Sequence, residues 1–400
     1  MTPPTTPTPM QLSVNTGSDG HELSLQASSI SHLTPPVTPI GKPSAESDSL
    51  TSQLEAGPDG ASLGKQNITK PLRFIDHLEI CRDENDRPIE FGRGVLSIVY
   101  KATSTSTAQP ITADTPPTSP ACNSRVLAAK TPLRRDARAA LQTEALTLTR
   151  LNRTPGHDDR VITFFGVEPE TEALIMAAIP LQLSTYIEDQ ADLRKKHFST
   201  ATMFEPVMGM DSFLDLAHKL IGGLAWLHNN AGVIHGDVKP LNILLRPIAT
   251  DECGDAGAFP YHPLYADFSS ALDIPSSDAS ENIHDNVTGM YAVTVPFTAP
   301  ELLKSLTSGN VALSPASDVF SLAATLIAAA TGDMLLYPGD RRRRQLMACD
   351  GHQILDFTRN GANGARVPRN GPVEKLVKPA VVKDPAQRIS AQEWVTLASA

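Results

Sequence analysis

The feature that most restricts this chain is a polar loop set between two apolar runs. Val233-Ile234 leads into His235-Gly236-Asp237-Val238-Lys239-Pro240-Leu241-Asn242, and Ile243-Leu244-Leu245 follows. The flanking runs read as short strand pieces. They fix an Asp, a Lys two positions on and an Asn five positions on within one loop. Phosphoryl transfer needs these residue types: a carboxylate to orient a hydroxyl, a cation near the γ-phosphate and an oxygen ligand for Mg²⁺. The alternative is a chance polar loop.

The surroundings of this loop set the fold class. Asp211 to His228 reads as an amphipathic helix, with Phe213, Leu216, Leu220, Leu224 and Leu227 on one stripe. Phe320 to Ala330 reads as a buried helix. The apolar stretch between Asp318 and Asp333 is shorter than the roughly 20 residues a membrane span needs. Upstream the periodicity differs. Ser97–Lys101 and Arg125–Lys130 are strand-like, and the Thr/Pro-rich residues 103–124 between them read as a long hairpin loop. Asp136 to Leu151 is helical, with Ala137, Leu141, Ala145 and Leu148 at spacings of three and four. Two further strands are expected at Val161–Val167 and Ala173–Ile179. A strand-rich first half with one helix and a mainly helical second half make an α+β, two-lobed arrangement. The expected organisation is a tail at 1–70, a first lobe at 71–178 with an insertion at 103–124, and a second lobe at 179–400.

The tail is rich in Ser, Thr and Pro, and the first aromatic residue of the chain is Phe74. Such a segment buries too little apolar area to offset its ordering entropy, which predicts disorder. Its Thr-Pro dipeptides at Thr2, Thr6, Thr8, Thr34 and Thr38 suit an upstream proline-directed kinase, or belong to an unmodified low-complexity tail. With 34 Lys+Arg against 44 Asp+Glu, a net charge of -10, the chain is a poor default candidate for binding nucleic acid or anionic membrane, and neither partner is expected. The cysteines, Cys81, Cys122, Cys253 and Cys349, form no CxxC pair, so neither a zinc site nor a disulfide framework is expected. No secretory signal precedes them, and a cytoplasmic or nuclear location is the expectation. Arg341 to Arg344 reads as a solvated helix or loop face, with an acidic-partner site or a localisation signal as the alternatives.

Three other stretches carry chemistry. Gly92-Arg93-Gly94-Val95-Leu96-Ser97-Ile98-Val99 lies between strand-like runs, where glycine amides approach phosphates closely; an ordinary hairpin is the alternative. Alternation puts Val126, Ala128 and Lys130 on one strand face. Glu144 lies three residues after Leu141 and four before Leu148, on the apolar stripe of its helix. A Lys130–Glu144 pair satisfies both charges and aims the ammonium at nucleotide phosphates, against the alternative of two unrelated surface charges. Tyr265-Ala266-Asp267-Phe268-Ser269 supplies a carboxylate at a strand end, so Asn242 and Asp267 form a pair of hard oxygen ligands for Mg²⁺. Ala299-Pro300-Glu301, Ser317-Asp318-Val319 and Asp384-Pro385-Ala386-Gln387-Arg388 follow in order.

This ordered set resembles the eukaryotic protein kinase family, Ser/Thr type, over roughly residue 71 to the C-terminus. The resemblance implies an ATP- and Mg²⁺-dependent enzyme acting on Ser/Thr hydroxyls of protein substrates. It implies that Gly92, Gly94, Ser97, Val99 and Ala128 surround the ATP, with Met176 as gatekeeper and Ala177 to Ile179 as the adenine-binding hinge. Lys130 would contact the α/β-phosphates and pair with Glu144. Asp237 would be the catalytic base, Lys239 would sit near the γ-phosphate, and Asn242 and Asp267 would hold Mg²⁺. Glu301 would pair with Arg388, Asp318 would tether the catalytic loop, and Thr294 would bond Asp237 and Lys239. Several positions depart from the family. Val293 and Phe297 differ from its substrate-docking pattern. Gly236 stands where many members carry Arg, which implies activity without loop phosphorylation. Ser269 replaces a Gly and restricts the Asp267-Phe268 segment. The Gly/Asp-rich stretch from Asp251 to Phe259 is expected to be a surface loop. Two other readings compete: a pseudokinase that binds nucleotide or partners only, and a small-molecule phosphotransferase of kinase-like fold.

Overall fold

Period-two patterning lays down an antiparallel sheet in the first part of the chain, and 3.6-residue periodicity builds helices in the second. A computed structural model describes residues 68–105, 124–248, 257–275, 293–308 and 313–400. The expectations for the tail, its Thr-Pro sites and most of the hairpin insertion therefore lie outside the described residues. The strands β1 (His77–Ile80), β2 (Glu90–Arg93), β3 (Ser97–Thr105) and β4 (Ser124–Pro132) are followed by helix α1 (Ala137–Leu151) and strands β5 (Phe164–Val167) and β6 (Leu174–Ala177). The sheet order is β1-β3-β4-β6-β5, with β2 also paired to β3. The β3–β4 register sets Val99 opposite Lys130, and the β4–β6 register sets Ala128 opposite Met176.

Three sequence expectations need correction here. The hairpin loop does not begin at residue 103: Thr103, Ser104 and Thr105 continue β3, paired to Val126, Arg125 and Ser124. Strand β1 pairs with the same residues from the other side, so the ladder continues where composition alone suggests a loop. The strand expected from Val161 starts at Phe164, because Val161 leaves the sheet to bridge Tyr265. The strand expected at Ala173–Ile179 is confined to Leu174–Ala177.

The second part is helical: α2 (Leu183–Lys196), α3 (Met210–Asn229), α4 (Pro300–Ser308), α5 (Pro315–Thr331), α6 (Arg341–Cys349), α7 (Ile354–Arg359), α8 (Pro372–Val377) and α9 (Ala391–Ala398). Between α3 and α4 lie the short strands β7 (Val233–Ile234), β8 (Ile243–Pro247), β9 (Tyr261–Tyr265) and β10 (Leu272–Asp273). The fold is thus two-lobed. Helix α5 is apolar on every side, so it forms the centre of the helical lobe, and every residue from Ser317 to Thr331 is buried. Ser314 and Ser317 close a capping box at its start, with Pro315 in the first turn. The run Arg341–Arg344 opens α6, largely solvent-exposed. No helix among the described residues is long and apolar enough to cross a membrane.

The stretch up to Phe259, expected as a surface loop, ends inside the core. Residues 249–256 lie outside the described residues, but Phe259 is fully buried and packs edge-on against Tyr186, 5.4 Å between ring centroids. A Phe at the end of a polar stretch anchors it by burying its ring.

Glu301 of α4 and Arg388 pair through two bonds of 2.7 Å. The Arg388 side chain is fully buried and also donates to the carbonyls of Val382 and Ala316, both at 3.0 Å. Removing one partner leaves the other poorly solvated, at a cost of about 3 kcal/mol. Arg388→Ala is expected to lower unfolding free energy by about that amount in denaturant titration; a loss below roughly 1 kcal/mol would mean that the pair is replaceable by solvent.

Candidate active site

The polar loop after β7 is held from below by one carboxylate. Asp318, buried in the first turn of α5, accepts the backbone N–H groups of His235 at 2.7 Å and Gly236 at 2.9 Å, and it contacts His228 Nε2 at 3.1 Å. His235 is fully buried. Its Nε2 lies 3.1 Å from the Ala266 carbonyl, and its ring lies 4.8 Å from the Phe268 ring. Gly236 has φ +78°, and a Cβ there would stand 2.5 Å from the Ser270 carbonyl oxygen. No side chain fits that position in this conformation, which accounts for the glycine in physical terms.

The loop presents Asp237, Lys239 and Asn242 to one another. Lys239 Nζ lies 2.7 Å from Asp237 Oδ2 and donates to Thr294 Oγ1 at 3.0 Å. Asn242 Nδ2 donates to the Asp237 carbonyl and to Asp237 Oδ2, both at 2.9 Å. Burial pushes the Asp237 carboxyl above its ordinary value, and the Lys239 charge opposes this in part. Of the two contacts that the resemblance implies for Thr294, its hydroxyl makes the one with Lys239 and not the one with Asp237. Thr298 Oγ1 fixes the segment by accepting the Thr294 N–H at 2.8 Å.

A second group forms around Lys130. Its Nζ lies 2.7 Å from both Glu144 carboxylate oxygens and 2.8 Å from Asp267 Oδ1. Lys130 and Glu144 are buried, as the helix stripe predicts, while the Asp267 side chain is 42% exposed. Burial works against the Lys130 ammonium, but Asp267 and Glu144 together hold its pKa above the ordinary lysine value. Burial raises the Glu144 carboxyl, with Lys130 opposing. Burial alone would raise Asp267 too; the Lys130 charge outweighs it, with Lys239 and the Ser269 side chain adding, and holds the carboxyl well below the usual range. Ser269 thus does more than stiffen the backbone, since its side chain favours the ionised Asp267 carboxylate. The two groups meet where the Ala266 N–H donates to the Asn242 carbonyl at 2.9 Å.

The donors suit a hard cation. The Asn242 amide oxygen accepts no hydrogen bond from a described residue, and the Asp267 carboxylate opens to solvent beside it, so both fit Mg²⁺. A Cβ at Gly92 would meet nothing within 4 Å, which leaves open space at that position. Gly94 departs from expectation, because its N–H is donated to the Ser97 carbonyl at 2.8 Å and is not free for an anion. Ser97, Ala128 and Met176 are buried, while Val99, Ala177 and Ile179 are partly exposed. The Ala177 N–H is taken by the Thr163 carbonyl at 3.0 Å.

The effect of Ser269 on Asp267, the His235 ring contacts and an Arg150–Asp273 ion pair escape sequence reasoning. Arg150 and Asp273 stand 123 residues apart, and no local periodicity relates them.

The sequence pattern of the protein kinase domain matches residues 89–397, and this chain belongs to that family. Similar proteins include the serine/threonine-protein kinase PknK of Mycobacterium tuberculosis, 32% identical over 177 residues, which is 44% of this chain and 13% of that protein. The serine/threonine-protein kinase PknD of Chlamydia caviae is 28% identical over 181 residues, 44% of this chain and 18% of its own length. The eukaryotic translation initiation factor 2-alpha kinase 2 of Schizosaccharomyces pombe is 24% identical over 154 residues, 34% of this chain and 24% of its own. The chain therefore spans less than a quarter of the length of each of these relatives.

The Gly236 geometry is directly testable. Gly236→Ala adds a Cβ against backbone at a left-handed φ, and about 2 kcal/mol of destabilisation is expected in thermal or denaturant unfolding. A variant as stable as wild type would show that the loop relaxes freely.

Proposed function

We propose that this chain transfers the γ-phosphate of ATP, with Mg²⁺, to serine or threonine hydroxyls of proteins. The observation that carries the reading is the meeting of two bonded groups, Glu144–Lys130–Asp267 and Asn242–Asp237–Lys239, in one cleft. The Ser/Thr preference draws support from Lys239-Pro240 after Asp237 and from the names of the PknK and PknD relatives.

Each residue then has a distinct task. Asp237 orients the acceptor hydroxyl and takes its proton; burial makes the carboxyl a stronger base, and Lys239 favours its ionised form. Lys239 offsets negative charge where the phosphoryl group moves. Lys130 binds the α/β-phosphates, and Glu144 fixes the ammonium. Asn242 Oδ1 and Asp267 hold Mg²⁺, which when bound neutralises phosphate charge. Gly92, Gly94, Ser97, Val99, Ala128 and Met176 enclose the nucleotide, with Ala177 and Ile179 along its adenine edge.

The test is incubation with Mg²⁺, γ-labelled ATP and a generic protein substrate, followed by phosphoamino-acid analysis. Phosphoserine or phosphothreonine is expected, and Lys130→Met is expected to abolish it. Nucleotide binding without transfer would favour the scaffold reading, and label only on small molecules the phosphotransferase reading.

Asp237 also sets a pH limb. Its protonated form cannot accept the hydroxyl proton, so kcat falls as pH drops through the carboxyl's pKa. Because burial raises that value, the limb is expected above the usual aspartate value of about 4. Asp237→Asn is expected to lower kcat about 10²- to 10⁴-fold, with ATP affinity kept within about threefold and the limb gone. Equal losses in affinity and kcat would assign Asp237 a structural role.

A further inference from the structure

Helix α1 carries Glu144 to Lys130, and one short stretch of chain bonds both ends of this arrangement. At one end, Glu144 meets Lys130, whose Nζ also bonds Asp267. Six residues further along α1 stands Arg150, and six residues beyond Asp267 stands Asp273. Arg150 Nη1 donates to Asp273 Oδ2 at 2.6 Å while Nη2 donates to Oδ1, a two-pronged contact. Such pairing fixes direction as well as distance. Asp273 is itself set in β10, opposite Val233 of β7, the strand that feeds the His235–Asn242 loop.

Two further observations bear on the pair. The Arg150 side chain is 27% exposed and that of Asp273 60%, and Asp273 is the carboxylate that meets Arg150 among the described residues. The other side-chain anchors of α1 reach elsewhere. Arg138 contacts Glu172 in the turn before β6, and Thr149 accepts the Leu72 N–H ahead of β1. These tie α1 to the sheet and its margin, whereas Arg150 ties it to the segment after Asp267. Gly236 carries no side chain, so the loop beside that segment contributes no cation from that position.

We infer that Arg150 and Asp273 are positioning residues for phosphoryl transfer: their ion pair holds α1 where Glu144 meets Lys130. The clamping carboxylate is encoded in the chain and requires no added phosphate. The inference rests on the proposed function for its link to rate, but not for its link to helix position.

The experiment compares the full, phosphatase-treated chain with Arg150→Gln, Asp273→Asn, Arg150→Lys and the exchanged double variant Arg150→Asp/Asp273→Arg. Transfer rate, thermal midpoint and amide hydrogen exchange of residues 141–148 are read for each. The two neutralising variants are expected to lose about tenfold in rate and to exchange about tenfold faster in α1, with the midpoint within a few degrees of wild type. Arg150→Lys is expected to fall between, and the exchanged pair to recover α1 protection. A lowered midpoint with unchanged rate and exchange in the folded protein would mark the pair as merely structural and overturn the inference. So would wild-type behaviour of both neutralising variants. If the wild-type chain transfers no phosphate, the proposed function fails by itself, and the exchange of α1 still decides the role of the pair.

Discussion

The rest of the structure depends on one buried ammonium shared by two carboxylates. Taking Lys130 out of water is costly, and Glu144 and Asp267 both compensate it. The three groups come from a strand, a helix and the chain after a second strand, so the interaction holds the sheet, α1 and the segment after β9 in one arrangement. Lys130 bonds Asp267 across 137 residues of sequence. The cation keeps Asp267 ionised and leaves that carboxylate open towards the cleft, where a metal-bound phosphate would need it.

The same logic recurs below the cleft. Asp318 is buried, yet it is saturated by two backbone N–H groups and a histidine ring, and this fixes the backbone that presents Asp237. Asp237 in turn is bonded by Lys239 and Asn242. Polar residues of the site therefore stay buried because each answers another, and the apolar helix α5 supplies the rigid floor. The Asp267 carboxylate opens to solvent, and the buried Asn242 amide oxygen accepts no hydrogen bond from a described residue, a donor pair that suits a hard cation.

Much of this was legible in the sequence where the determinants are local. The stripe from Phe213 to Leu227 marks α3, the apolar run after Asp318 marks α5, and Glu144 on the inner stripe of its helix calls for a cation. The spacing of the loop residues from His235 to Asn242 is what points to phosphoryl transfer. What escaped depends on contacts between distant segments. Thr103 to Thr105 look like loop residues until β1 is laid beside them. Phe259 looks like the end of a polar insert until Tyr186 and Tyr261 close over its ring. Gly236 reads as a missing arginine, whereas its cause is the Ser270 carbonyl 2.5 Å from any Cβ.

The most direct measurement is a double-mutant cycle on unfolding free energy with Lys130→Met, Glu144→Gln and both together. If the shared ammonium organises the site, Lys130→Met leaves two carboxylates uncompensated and costs about 3 kcal/mol, and adding Glu144→Gln costs little more or recovers part of the loss. The expected coupling is therefore at least about 1.5 kcal/mol. Additive effects within about 0.5 kcal/mol would contradict it, because they would mean that Lys130 and Glu144 lie side by side without depending on each other.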